Sequence, residues 1–137
     1  MFALLPDTKA KWPEGDDDGW KFLGYQLDDQ QRPTFRYRFL SIEIHDFPTA
    51  IPGDVDANFR RTLTLKSEKR IEGLWFRAWT ADRIEQQENG FVAGGKVTLR
   101  FAEDTKAVVR ESGGKRELLV PIQFNGGEAT IVEEILW

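Results

Sequence analysis

The chain has 137 residues, of which 40% are apolar and 31% charged, a composition that supports one folded domain and argues against a disordered chain. The formal net charge is −4, with both signs spread along the sequence, so the basic surface that nucleic-acid binding needs is not predicted. The sequence has no cysteine, which excludes disulfides and thiolate metal sites, and no apolar run approaches the roughly 20 residues that span a bilayer.

The first residues differ in character from the rest of the chain. We predict that residues 1–19 form an irregular N-terminal arm or linker and that residues 20–137 form a single β-sandwich domain. The arm contains Pro6, Pro13 and the acidic run Asp16–Asp18, and it offers few apolar side chains to bury. Trp12 is the exception, and we expect it to pin the arm onto the domain.

From residue 20 onward, apolar residues recur at every second position, which is the period of a β-strand. The runs Trp20–Leu27 and Thr34–Phe39 flank a polar turn and predict a hairpin. Similar runs continue to Trp137, with glycine and proline turns between them, and only Arg83–Glu88 could form a helical turn. We therefore predict an all-β fold, an antiparallel β-sandwich of about ten short strands, with a barrel as the alternative.

The glycine-rich segment Gly90–Lys96 matches the spacing of a phosphate-binding P-loop as far as its lysine. In a P-loop the next residue is Ser or Thr, which reaches magnesium, and a helix follows to offer its N-terminus. Here the next residue is Val97, which opens another alternating run. We therefore interpret the segment as a glycine turn between two strands.

Three polar residues have the alternate spacing of oxygen ligands in a calcium loop: Asp54, Asp56 and Asn58. An EF-hand would also need glycine at position 59 and glutamate at position 65, where the chain has Phe59 and Leu65. We interpret the three residues as part of a solvated polar loop. A weaker alternative is a looser calcium site between strands. No other metal site and no cofactor is predicted.

His45 is the only histidine, and Asp46 follows it directly. A histidine with a carboxylate could serve as a general base, but a nucleophile or further metal ligands are needed to complete a site. At the end of a strand we interpret His45 as a rim residue. No catalytic residue is predicted.

Trp75, Arg77 and Trp79 form the most informative set for binding. Strand alternation places these three side chains on one face, opposite Leu74 and Phe76. If that face is exposed, two indole rings beside a guanidinium form a platform for sugar rings or another planar ligand. The alternative is that both faces of the strand are buried and that Arg77 stacks structurally on aromatic rings.

Four segments carry a resemblance to a known group of proteins: Phe22–Asp28, Arg32–Tyr37, Arg60–Leu65 and Ala129–Trp137. Together they resemble a β-rich domain of large exported multidomain proteins of planctomycetes and related bacteria. Those proteins often combine a sugar-dehydrogenase-like propeller with a c-type cytochrome domain. The resemblance extends from about residue 20 to the end of the chain. The chain has no haem-attachment motif and no propeller repeat, so neither activity is transferred to it.

The resemblance implies a non-catalytic accessory or binding module of a larger exported redox or carbohydrate-active protein, in the periplasm or outside the cell. Its partners would be neighbouring domains of the same polypeptide or another protein, with carbohydrate as a further ligand. Two other interpretations stay open. One is a small sandwich-type sugar-processing enzyme, similar to a mutarotase or a hydrolase, with His45 and carboxylates in a groove. The other is a purely structural, self-associating domain.

Overall fold

The strands follow the alternation of the sequence, because a β-strand turns successive side chains to opposite faces. The computed structural model describes residues 1–13, 19–53 and 57–137, which contain strands and no helix, so the all-β prediction is confirmed. The described strands are β1 (Phe2–Leu4), β2 (Trp20–Leu27), β3 (Pro33–Phe39), β4 (Ile42–Ile51), β5 (Asn58–Lys66), β6 (Leu74–Ala81), β7 (Ile84–Gln87), β8 (Gly90–Ala93), β9 (Val97–Phe101), β10 (Val108–Ser112), β11 (Lys115–Pro121) and β12 (Glu128–Leu136).

The twelve strands of the described residues form two antiparallel sheets. The small sheet has the order β1-β6-β11-β10, and the large sheet has the order β2-β3-β4-β5-β12-β9-β8-β7. The predicted antiparallel sandwich is therefore confirmed, with twelve described strands in place of about ten. The predicted hairpin is β2–β3, in which Trp20 lies opposite Phe39.

The apolar faces of the two sheets meet in the interior. Ile44 and Leu63 of the large sheet pack in one cluster with Phe76 of the small sheet, and each is at most 1% exposed. Toward β7–β9, a second cluster joins Leu99 of the large sheet to Leu118 of the small sheet. Each fully buried side chain of this kind contributes about 1.5–3 kcal/mol, so the two facing sheets hold the fold together.

The chain around Asn89 and Gly90 forms a hairpin. Strand β7 pairs with β8, and Gln87 lies opposite Gly90. The single helical turn considered for Arg83–Glu88 is therefore wrong, and the segment contains strand β7. Pairing with β8 provides hydrogen-bond partners for its backbone amide and carbonyl groups. The glycine turn predicted in place of a P-loop is confirmed, since Gly94 and Gly95 connect β8 to β9 with positive φ angles of 59° and 69°.

The N-terminal arm begins with a strand rather than irregular chain. β1 pairs with β6, and Leu5 then donates a hydrogen bond from its amide to the carbonyl oxygen of Gly73, with an N···O distance of 2.8 Å. A Cβ atom on Gly73 would lie 2.7 Å from the carbonyl oxygen of Leu5, so any other residue at this position would clash with the backbone of the arm. Trp12 is buried against Ala3, Leu5 and Leu119, and the prediction that it pins the arm is confirmed.

Candidate functional site

The structure does not assemble Trp75, Arg77 and Trp79 into a shared platform. Ala78 has no Cα partner on β11, which shifts the register between Leu118 and Leu119. Trp75 packs with the cluster that contains Leu119, under the arm, whereas Trp79 packs with the cluster that contains Leu118, between the sheets. Because an extra residue reverses the alternation, the expected common face is wrong. Participation of these residues in binding stays a prediction.

Arg77 belongs to a closed cluster beneath the arm. Its Nη1 donates a 2.7 Å hydrogen bond to Oε1 of buried Glu117, and its guanidinium lies 4.4 Å from the centroid of the Trp12 ring. Arg110 donates from Nε to the second oxygen of Glu117 at 2.8 Å and from Nη1 to the carbonyl oxygens of Thr8 and Ala10. We call these four side chains the arm cluster: Trp12, Arg77, Arg110 and Glu117. Its charged groups fasten the arm to the small sheet.

His45 does not pair with Asp46, because adjacent residues of β4 point to opposite faces. His45 Nε2 donates a 2.7 Å hydrogen bond to Oε1 of Glu43, which also accepts from Arg36 at 3.0 Å. These hydrogen bonds, that from His45 above all, lower the pKa of Glu43. Asp46 is buried on the other face, so the adjacent pair considered as a general base does not form.

Two of the three loose metal candidates, Asp54 and Asp56, lie outside the described residues. The third, Asn58, begins β5 opposite Ile51 of β4. Among residues 1–13, 19–53 and 57–137, no group of three or more histidine, aspartate or glutamate side chains is arranged to hold a metal ion. The same part of the chain contains no helix with the length and apolar character of a membrane span.

The hairpin β2–β3 carries an array of aromatic rings on one face. It consists of three cross-strand pairs, with ring centroids 5.0, 5.3 and 6.1 Å apart, which we call the aromatic ladder: Trp20 with Phe39, Phe22 with Tyr37, and Tyr25 with Phe35. The ladder begins in the core, where Phe39 is 8% exposed, and ends at the surface, where Phe22 and Tyr25 are 57% and 60% exposed. Aromatic rings usually bury this area in a core, so their exposure makes this face of the hairpin the candidate for a binding surface.

A bulge keeps the ladder on one face. Phe22 and Tyr25 are three residues apart and would point to opposite faces of a regular strand. The register of β2 shifts between Phe22 and Gly24, which leaves Leu23 as the extra residue. Gly24 has a φ angle of +99°, a conformation that glycine adopts without strain. The bulge therefore places Tyr25 in line with Phe22.

A cavity of about 380 Å³ lies between the aromatic ladder and the small sheet. Its aromatic wall comprises Phe2, Trp20, Phe22 and Tyr37, and its polar wall includes Asp46 and Arg61. Pockets of this size, mostly apolar with a few fixed polar groups, are typical of small-ligand sites. We call this cavity the ladder pocket.

The polar wall of the ladder pocket is a bidentate ion pair. Arg61 donates from Nε to Oδ1 of Asp46 at 2.9 Å and from Nη2 to Oδ2 at 2.6 Å. Asp46 is buried, whereas the Arg61 side chain keeps 31% of its surface exposed. The third guanidinium nitrogen, Nη1, stands outside this pair, so Arg61 can present a donor to a ligand while Asp46 holds it in place.

Glu133 lies behind Arg61 and is 1% exposed. The two residues are direct cross-strand partners on β12 and β5. Among the described residues, Oε1 of Glu133 has no hydrogen-bond partner. Burial raises the pKa of Glu133 to about 7, although the charge of Arg61 acts in the opposite direction. The carboxyl group of Glu133, which lies next to Arg61 of the ladder pocket, therefore has a pKa near neutral pH.

Sequence reasoning missed Asp46, Arg61 and Glu133 as members of one site. A signal was present, because each continues an alternation of inward apolar residues, as Asp46 does after Ile42 and Ile44. A charged residue in such a series is buried with a partner or has a perturbed pKa. These three residues meet only because β5 pairs with both β4 and β12. Alternation within one strand does not define that pairing.

Comparison of the chain with protein-family models, with curated proteins and with solved structures finds no significant match.

Proposed function

We propose that this chain is a non-catalytic binding module that holds a saccharide against the aromatic ladder. The observation that supports the proposal most directly is the exposure of Phe22 and Tyr25 beside a pocket whose polar wall is an arginine–aspartate pair. Aromatic rings offer flat apolar surfaces to the C–H faces of sugars, and planar charged groups bond pairs of hydroxyls. The same combination of walls suits a sugar better than a purely apolar ligand.

The length of the ladder favours an oligosaccharide. Because Leu23 is the extra residue of the bulge, the stretch from Trp20 to Tyr25 spans the same length as Phe35 to Phe39 of β3, a rise of about 13 Å. A ligand lying along β2 would contact the exposed rings in turn and reach Arg61 at the pocket. An accessory module of this kind would hold polymeric substrate near a redox or carbohydrate-active domain, in the periplasm or outside the cell, as the sequence resemblance implies.

The test is calorimetric titration with cellohexaose, xylohexaose and chitohexaose. We expect at least one of these hexasaccharides to bind, and we expect Phe22→Ala and Tyr25→Ala each to weaken binding about tenfold or more. Trp137→Ala is the matched control, because it removes an aromatic ring that is 64% exposed and follows β12, away from the ladder. Its affinity should equal that of the wild type.

Unfolding curves of the same variants separate binding from folding. Phe22 and Tyr25 are more than half exposed, so each truncation should lower the free energy of unfolding by about 1 kcal/mol or less. Absence of binding to all three sugars, or equal loss in Trp137→Ala, would overturn the saccharide proposal. Light scattering of these samples tests self-association, since a dimer abolished by Phe22→Ala would assign the ladder to a second copy instead.

A further inference from the structure

Two carboxylates, Asp46 and Glu133, are neighbours of Arg61. Asp46 bonds two nitrogens of Arg61, and Glu133 faces the same residue across the β5–β12 pair. Oε1 of Glu133 is buried and has no hydrogen-bond partner within the described part of the chain. An ionised carboxylate in that position needs a donor, because an unpaired buried charge is strongly unfavourable. Arg61 is the basic residue whose charge acts most strongly on Glu133.

We propose that Glu133 is a positioning residue of the ladder pocket, which controls whether Arg61 faces a ligand or faces β12. When Glu133 is protonated, Arg61 stays with Asp46 and presents Nη1 to the pocket. When Glu133 is ionised, its carboxylate draws Nη1 away from the pocket. This inference rests on the proposed saccharide-binding function and adds pH control to the same site.

The expected direction follows from the groups that surround Glu133. Burial raises its pKa to about 7, Asp46 acts in the same direction, and Arg61 and the α-amino group of Met1 oppose the rise. Tyr37 also lies near this group and interacts electrostatically with Arg61. Below pH 7 Glu133 is therefore mostly neutral and Arg61 is available. Saccharide affinity should fall as the pH rises through 7.

The experiment compares wild type with Glu133→Gln, which has nearly the same size and stays neutral at every pH. Titrations with cellohexaose, xylohexaose and chitohexaose are made at pH 5.5, 7.0 and 8.5. The loss of one hydrogen bond to a charged group corresponds to about a tenfold change in affinity. We expect the wild type to bind about tenfold more weakly at pH 8.5 than at pH 5.5, and Glu133→Gln to bind equally at all three.

A second measurement needs no sugar. The NMR resonances of the Glu133 carboxyl carbon and of Arg61 Nε are followed from pH 6 to pH 9, above the range in which the neighbouring α-amino group of Met1 titrates, because burial lowers its pKa to about 5. We expect both to titrate with a common midpoint near 7 in the wild type, and the Arg61 resonance to stay constant in Glu133→Gln. This readout reports the coupling of two side chains, which a merely structural glutamate would not produce.

The outcomes separate the two proposals. If the resonances titrate together but no hexasaccharide binds at any pH, the saccharide function fails and the control of Arg61 by Glu133 stands. If a hexasaccharide binds with the same affinity from pH 5.5 to pH 8.5 and Arg61 does not follow Glu133, the positioning role is overturned and the saccharide function stands. An equal pH dependence in Glu133→Gln and wild type would also overturn it.

Discussion

Two regions of this molecule combine arginine, carboxylate and aromatic side chains, and they differ in how their buried glutamates are hydrogen-bonded. In the arm cluster, both oxygens of Glu117 accept hydrogen bonds, one from Arg77 and one from Arg110. In the ladder pocket, Arg61 lies between Asp46 and Glu133, and one oxygen of Glu133 lacks a partner in the described structure. Each carboxyl oxygen of Glu117 therefore has an arginine donor, whereas Oε1 of Glu133 has none among the described residues.

This difference separates a structural cluster from a candidate site. In the arm cluster, residues 5–13 lie over the sheet and bury Trp12, so aromatic and charged groups stabilise the fold. In the ladder pocket, the rings of Phe22 and Tyr25 stay largely exposed, and a titratable carboxyl stands behind the wall. Residue types alone are therefore a poor guide to function, and the degree of coverage distinguishes the two regions.

The arm cluster should be the more sensitive region to the loss of one charge. Replacing Glu117 by alanine leaves Arg77 and Arg110 without their buried partner, since Glu117 is 5% exposed. We expect the free energy of unfolding in urea to fall by about 3–5 kcal/mol. Glu111→Ala is the control, because Glu111 is 68% exposed and 3.8 Å from Arg116, and it should change stability by about 0.5 kcal/mol or less. Similar losses in both variants would contradict the closed-cluster interpretation.

Trp12→Ala should loosen the arm while the sandwich stays folded. Trp12 is buried against Leu5 and Leu119, and truncating a buried tryptophan costs about 3 kcal/mol or more. We expect a stability loss of about 3 kcal/mol, together with faster hydrogen exchange at the Leu5 amide, which bonds Gly73. Proteolysis should then cut within residues 1–13. An unchanged exchange rate at Leu5 would show that strand β1 holds the arm without Trp12.

The two regions also differ in how far the sequence predicts them. Alternation predicted the hairpin β2–β3, because period-two patterns translate directly into strands. It did not predict the bulge at Ala78, where a single extra residue separates Trp75 from Trp79. Small residues in strands are common, and nothing in the residue types marks this one as unpaired.

Strand pairing explains what the sequence leaves open about the site. Asp46, Arg61 and Glu133 each occupy an inward position of an apolar alternation, where Asp46 and Glu133 are buried and Arg61 is partly buried. Their meeting requires β5 to lie between β4 and β12, and β12 lies more than 60 residues later in the chain. The arm shows the same limit, because Phe2–Leu4 is too short to be recognised as a strand without β6 beside it.

In the ladder pocket, Glu133→Gln should change stability less than Glu117→Ala or Trp12→Ala does in the arm cluster. Burial raises the pKa of Glu133 from 4.5 to about 7, so the folded state retains a proton that the unfolded chain loses between these values. The contribution of Glu133 to stability is therefore fully present below pH 4.5 and declines as the pH rises to 7. Glutamine has no proton to lose. The stability of Glu133→Gln relative to wild type should increase by about 2 kcal/mol between pH 5 and pH 8.

Urea unfolding of both proteins at pH 5 and pH 8 measures this difference, and the comparison cancels the titration of all other groups to first order. Glu134→Gln is the matched control on the neighbouring residue, whose carboxylate accepts from Arg60 Nε at 3.0 Å on the opposite face of β12. That variant should not become more stable than wild type at the higher pH, because its side chain is hydrogen-bonded when ionised. A relative stability of Glu133→Gln that does not change with pH would mean that Glu133 is bonded to an arginine, as Glu117 is, and that the two regions are alike in how they hold their glutamate.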